Sequence, residues 1–321
     1  MSAEDAVRRA QLALIPQWDP ERRTFDRSGP RFPRFERVAA LRALGAPWAR
    51  ELATEAAKGA LIFADPKDGG FRRAANPDGS PAAREEVAAD QAAALDTLCG
   101  ASPLAARREL SFLETAFSSK SPQPAWHGWQ AGYALSPDRS KASDGPAFER
   151  WRSDGWRPWG RARLGDDADL SRAVLDCADS SSAQRTFARR AVERAWSDFG
   201  RAALKNDPRL LLDDAVGLGE ALLAAGRIKD AVSILSWMDQ NLGAGPAYLD
   251  RLATDVLPVE VDRVADPALN ARVFVFLRRL SRALPAGSAR NDAVRRSREL
   301  FVWLSARSGS LDPAVWAALA Q

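Results

Sequence analysis

The chain's 321 residues, 46% hydrophobic and 27% charged with both signs interleaved, hold enough apolar material for a sizeable core and show no disordered tract. A net charge of only +4, with basic residues beside acidic ones instead of gathered in an aromatic-lined stripe, speaks against a nucleic-acid partner. The single histidine excludes a zinc site built on two or three imidazoles, and no cofactor fingerprint occurs, so neither a metal nor a cofactor is expected.

The predicted elements are helical throughout. A weak candidate covers residues 5–15. Over 36–58 the apolar set Val38, Leu41, Leu44, Trp48, Leu52 and Ala56 recurs every three or four residues and stacks on one helix face. Arg84 to Cys99 repeats the pattern with Val87, Gln91, Leu95 and Leu98, and Leu104, Leu110, Leu113 and Phe117 mark the next helix. Residues 167–180 are a weaker candidate, and Phe187, Val192, Trp196, Phe199 and Ala203 a stronger one. Ala215, Leu218 and Leu222 before Gly226, with Ile228, Val232, Leu235 and Met238 after it, read as a tight hairpin, because glycine suits a helix end. Beyond a weak candidate at 246–256, Leu269 to Leu284 stops at Pro285, Val294 to Leu304 stops before Gly309, and Asp312-Pro313 starts the last helix.

No strand signal stands out. About twelve helices joined by short turns make roughly six antiparallel hairpins in one domain over 1–321. With no fixed-period sequence repeat, a closed all-α (α/α)6 toroid is favoured over an open solenoid.

One stretch breaks the pattern. Residues 118–165 are rich in Ser, Pro, Gly and Asp yet hold five of the eleven tryptophans, Trp126, Trp129, Trp151, Trp156 and Trp159, as expected of a functional loop insertion that packs over something. Cys99 and Cys177 lie far apart inside apolar helical patterns and read as two small buried hydrophobes, not as a disulfide or redox pair. A polar, charged Met1–Arg9 and the lack of any membrane-length apolar run make a cytoplasmic protein the expectation.

Several fragments, taken in order, resemble the YyaL-like family, which includes the animal spermatogenesis-associated thioredoxin-like proteins. They are Trp18-Asp19-Pro20 with Gly29-Pro30-Arg31-Phe32-Pro33, then Asp65 to Arg73 with its Gly69-Gly70-Phe71, then Asp90-Gln91-Ala92, Leu212-Asp213-Asp214-Ala215 and Asp266-Pro267-Ala268-Leu269-Asn270. The resemblance implies that family's six-hairpin toroid, kin to sugar epimerases and glycosidases. It also shows losses. The family's thioredoxin-like domain is missing, Arg72 and Ala83 stand where the motif has histidines, Ala74 and Ala89 where it has tyrosines, and Glu86 where it has lysine.

Paired carboxylates can share general acid and base roles, so Glu85, Asp90, Asp213 and Asp214 are the candidate catalytic residues, although Asp213-Asp214 and Asp166-Asp167 also suit helix caps. Gln91, polar on an apolar stripe, must find hydrogen bonds from neighbouring helices or a ligand. Arg73, Gln91, Trp126, His127, Trp129 and Trp156 are the candidate substrate-binding residues, the tryptophans offering faces on which a sugar stacks. The lost histidines and tyrosines favour a non-catalytic toroid that binds a partner or acts as a scaffold, with a carbohydrate-active enzyme as the alternative. The partner is then a protein or a small sugar-like ligand.

Overall fold

The computed structural model describes residues 2–26, 28–66, 69–83, 86–117, 130–135, 156–161, 163–205, 207, 210–251, 264–307 and 313–320. Among them are twelve α-helices: α1 Ala3–Leu14, α2 Phe35–Leu44, α3 Pro47–Ala60, α4 Ala88–Leu98, α5 Pro103–Phe112, α6 Leu164–Asp176, α7 Ser182–Leu204, α8 Leu212–Ala224, α9 Ile228–Asn241, α10 Pro267–Ala283, α11 Ser288–Ala306 and α12 Pro313–Leu319. No helix of the described residues is long and apolar enough to cross a membrane. Contacts divide the chain into two compact units, one of Met1–Gln17, Glu36–Glu55 and Ala195–Gln321, the other of Trp18–Phe35 and Ala56–Arg194.

In the second unit α4 packs on α6. Three cross-ties at matching heights show that the two run parallel. At their starts the charge of Asp166 acts on Asp90. Midway Arg172 pairs with Asp96, one of its bonds measuring 3.2 Å. At their ends a disulfide joins Cys99 to Cys177, the residues that follow α4 and α6. The disulfide corrects the expectation of two separate buried thiols. Its physical reason is the parallel register, which brings together helix ends 78 residues apart in sequence. Leu95, Leu98, Leu170 and Val174, all fully buried, fill the seam.

In the first unit α8 and α9 form the hairpin expected at Gly226, and α8 also packs on α10. Arg272 pairs with Asp213 at 2.6 Å and Arg279 with Glu220 at 3.8 Å, two ties of equal sequence offset, so α8 and α10 are parallel as well. Leu212, Leu218, Phe276, Leu277 and Leu280 make the core there.

The same clamp occurs once in each unit. Gln91, the fourth residue of α4, accepts a bond from the Phe71 N–H at 2.8 Å and donates to the Phe71 carbonyl at 2.7 Å. Asn270, the fourth residue of α10, does the same to Tyr248, at 2.8 Å for both bonds. Each amide is wholly buried and each aromatic lies 20 to 22 residues upstream, so a helix start is tied to the extended segment before it.

Three sequence expectations are corrected here. The 36–58 periodicity is two helices, because Gly45 takes a left-handed φ of +66° and Pro47 then opens α3. The described part of 246–256 is extended, since Gly243–Ala244 and Ala247–Tyr248 (β6, β7) form a hairpin around Gly245-Pro246. Strands also exist. Ala74–Ala75 and Pro81–Ala83 (β1, β2) pair, and Glu86–Val87 (β3), Gln130–Leu135 (β4) and Trp156–Arg161 (β5) form an antiparallel sheet in the order β3-β4-β5. Its register sets Tyr133 opposite both Glu86 and Pro158. Proline is tolerated because β5 is an edge strand, but proline and glycine in β4 and β5 hid them from propensity.

Replacing both cysteines by alanine should lower unfolding stability by about 4.5 kcal/mol, the loop-closure value for a cross-link of this span. Urea denaturation of the double variant against the oxidised chain checks this, and an unchanged midpoint would show that the helix seam holds α4 and α6 without the bond.

Candidate functional site

The candidate site is built on the segment that enters α4. Asp65 N–H bonds Gly70 O at 2.7 Å and Gly69 N–H bonds Asp65 O at 2.9 Å, closing a tight loop. Arg72 donates to the buried Asp65 carboxylate through Nη2 at 2.7 Å and Nε at 3.2 Å. A Cβ at Gly70 would stand 2.5 Å from the Phe112 ring, so the loop can approach α5 only with glycine there. Phe71 then drops into the core, edge-on to Phe35 at 5.8 Å between ring centres, and Gln91 holds its backbone. That places Arg73 beside the first turn of α4, where its Nε stands 3.0 Å from Asp90 Oδ2 in an ion pair.

Asp90 sits in an electrostatic environment different from that of an ordinary surface aspartate. Burial pushes its carboxyl above the usual aspartate range, the half-exposed Arg73 pulls it back only in part, and Asp166 across the helix pair pushes it up again. Asp166 is itself paired with Arg163 at 3.3 Å, and its neighbour Asp167 is buried. The β3-β4-β5 sheet meets these helix starts. β3 runs directly into α4, β5 ends just ahead of α6, and β4 packs on both helices. A carboxyl of raised proton affinity beside a guanidinium has the chemistry of a proton-transfer group.

Of the sequence-predicted residues, the structure brings together Arg73, Asp90 and Gln91. The Gln91 amide is engaged with Phe71 and, at 3.4 Å, with Val87 O, within its own unit. Asp213 and Asp214 belong to the first unit. Asp214 caps α8 by accepting from Leu211 N–H at 3.1 Å, and Asp213 is held by Arg272, which also bonds Glu220. Trp156 opens β5 opposite Leu135 in register. Glu85, Trp126, His127 and Trp129 lie outside the described residues. Sequence reasoning passed over Glu86, buried on β3, and weighed Asp166 only together with Asp167, as a carboxylate pair or a helix cap, without linking it to Asp90. Glu86 follows Glu85 and mimics a solvated pair, whereas Asp166 depends on the register of α4 against α6. Among the described residues no cluster of three or more His, Cys, Asp or Glu is arranged to hold a metal ion.

Because folded Asp90 holds its proton more tightly than an unfolded aspartate, its contribution to stability is fully present below the ordinary carboxylate range. It is lost as pH rises through the raised value. Asp90→Asn should therefore melt like the parent near about pH 3 and above it near about pH 7, with a gap that grows with pH. Thermal melts across that range decide it, and a gap that shrinks with rising pH would mean that the charged form is the favoured one.

No protein-family model and no curated protein sequence matches the chain. Solved structures do. A sugar epimerase from a ruminal bacterium aligns at a TM-score of 0.66 and 11% identity over 95% of this chain and 87% of its own. A D-mannose isomerase aligns at 0.63 and 11% over 95% and 86%. The cellobiose 2-epimerase of Spirochaeta thermophila aligns at 0.60 and 14% over 95% and 85%. These likenesses show the fold, the all-α (α/α)6 toroid expected from the sequence.

Proposed function

We propose that the chain is a carbohydrate-active enzyme of the epimerase or isomerase kind, with Asp90 as its general acid-base group and Arg73 steadying negative charge on the sugar oxygens. The observation that carries this reading is the Asp90 carboxyl itself, whose proton affinity is raised at the start of α4 beside a half-exposed guanidinium, on a fold similar to that of sugar epimerases.

Inverting or isomerising the carbon next to an aldehyde begins with removal of its proton, which leaves an enediolate. The step needs a base and a cation aimed at the oxygen that becomes charged, and a carboxylate of raised proton affinity is the stronger base. Asp90 and Arg73 fill those two roles. Return of the proton on the other face needs a second carrier, for which Glu85 and His127 are the candidates. Trp126, Trp129 and Trp156 remain candidates for stacking on the sugar ring. Asp213 and Asp214 are weaker candidates, since one is ion-paired and the other caps a helix. The similarity to epimerase structures favours this enzyme over the non-catalytic scaffold suggested by the missing motif histidines. The fragments that resemble the YyaL-like family agree with the toroid but name no reaction. The Cys99–Cys177 disulfide is of a kind that persists in oxidising surroundings, so a cytoplasmic location is not part of the proposal.

Purified chain incubated with cellobiose, mannose and a panel of other aldoses should yield the 2-epimer or the ketose of at least one, read by chromatography. Asp90→Asn should lower that turnover by about 100-fold or more, and Arg73→Ala by about 10-fold, with neither variant losing its fold. Full activity in Asp90→Asn would overturn the assignment, and a chain that converts none of the sugars would return the scaffold reading to first place.

A further inference from the structure

We infer that Gln91 is a positioning residue: by clamping Phe71 it fixes Arg73 against Asp90 and so sets how strongly the guanidinium acts on that carboxyl. The inference rests on the reading of Asp90 as the proton-transfer group, and it adds a residue that touches neither sugar nor proton.

The geometry is a closed circuit. Gln91 directly follows Asp90 on α4 and holds both polar backbone groups of Phe71, at 2.8 and 2.7 Å. Two residues beyond Phe71, Arg73 reaches back to Asp90 at 3.0 Å. The clamp in the first unit shows what this device does without a site. There Asn270 holds Tyr248 in the same manner, but Leu269 stands in the position of Asp90 and Asp250 in that of Arg73. The fold therefore uses the clamp with no charged pair across it, and only in the second unit does it align an acid with a base. The Arg73 side chain is half-exposed, whereas its backbone lies two residues beyond Phe71, whose N–H and carbonyl are both held by Gln91. Among the described residues, the charged groups that act on Asp90 are Arg73 from the loop and Asp166 from α6, the latter paired with Arg163.

The test is a coupling measurement on the full chain that needs no substrate: titration of the Asp90 carboxyl carbon by NMR, assigned through Asp90→Asn. In the parent, Arg73→Ala should move the Asp90 titration to higher pH, because an attracting charge is removed. In a Gln91→Leu background the same change should move it by less than half as much. In an Asn270→Leu background, which loses an equivalent clamp, it should move it by the full parental amount. Gln91→Asn, with the same amide one methylene shorter, serves if the leucine variant does not fold, and should reduce the coupling in the same direction. Equal Arg73→Ala shifts in all backgrounds overturn the positioning role, as does an Asn270 variant that reduces the coupling as much as a Gln91 variant. Turnover read alongside keeps the two claims apart. Loss of coupling with no sugar conversion in the parent would retire the enzyme reading and leave the positioning role standing.

Discussion

Two helices lying parallel and in step, α4 against α6, govern what the rest of their unit can do. Parallel neighbours cannot be joined by a short turn, so the chain must travel the length of α4 and return before α6 begins. Here the return includes α5 and the stretch that carries β4 and β5. Because both helices start at the same end, the residues of their first turns become neighbours although 76 positions separate Asp90 from Asp166. The opposite ends meet too, and the Cys99–Cys177 bond and the Arg172–Asp96 pair hold that register.

Helix starts carry a partial positive charge, which ordinarily stabilises a carboxylate. At Asp90 burial outweighs that effect and the pull of Arg73, leaving the carboxyl more ready to hold a proton than a surface aspartate. At Asp214, one of the two carboxylates that open α8, the helix start is used differently: the side chain caps a backbone N–H, and the neighbouring Asp213 is tied to Arg272. Similar residues at similar helix positions therefore do different work, and the difference lies in what packs against them.

Most of the helices could be read from the spacing of apolar side chains, which is a local property. The turn at Gly226 and the start of α12 at Pro313 were equally local. What depended on distant partners was hidden. The β3-β4-β5 sheet pairs β3 with β4 across 45 residues or more and β4 with β5 across 21 or more, through strands that contain glycine and proline. The disulfide needed the register of α4 on α6, and the split of 36–58 needed the backbone of Gly45. Gln91 was legible in part: its place on an apolar stripe required a polar partner, but nothing in the local sequence pointed to Phe71, 20 residues upstream. Asp90 and Arg73 stood out through their surrounding Gly-Gly-Phe and Asp-Gln-Ala fragments, while the role of Asp166 emerged only from the helix pair.

The central claim, that Asp90 moves a proton at the carbon beside the sugar carbonyl, is tested most directly by running the reaction in deuterium oxide and following C1 and C2 by proton NMR. As product forms, the parent chain should place solvent deuterium at C2 of a 2-epimer or at C1 of a ketose, and Asp90→Asn should slow both product formation and exchange by about 100-fold or more. Product that forms with no solvent deuterium at either carbon, or parental exchange in the Asp90→Asn variant, would contradict it.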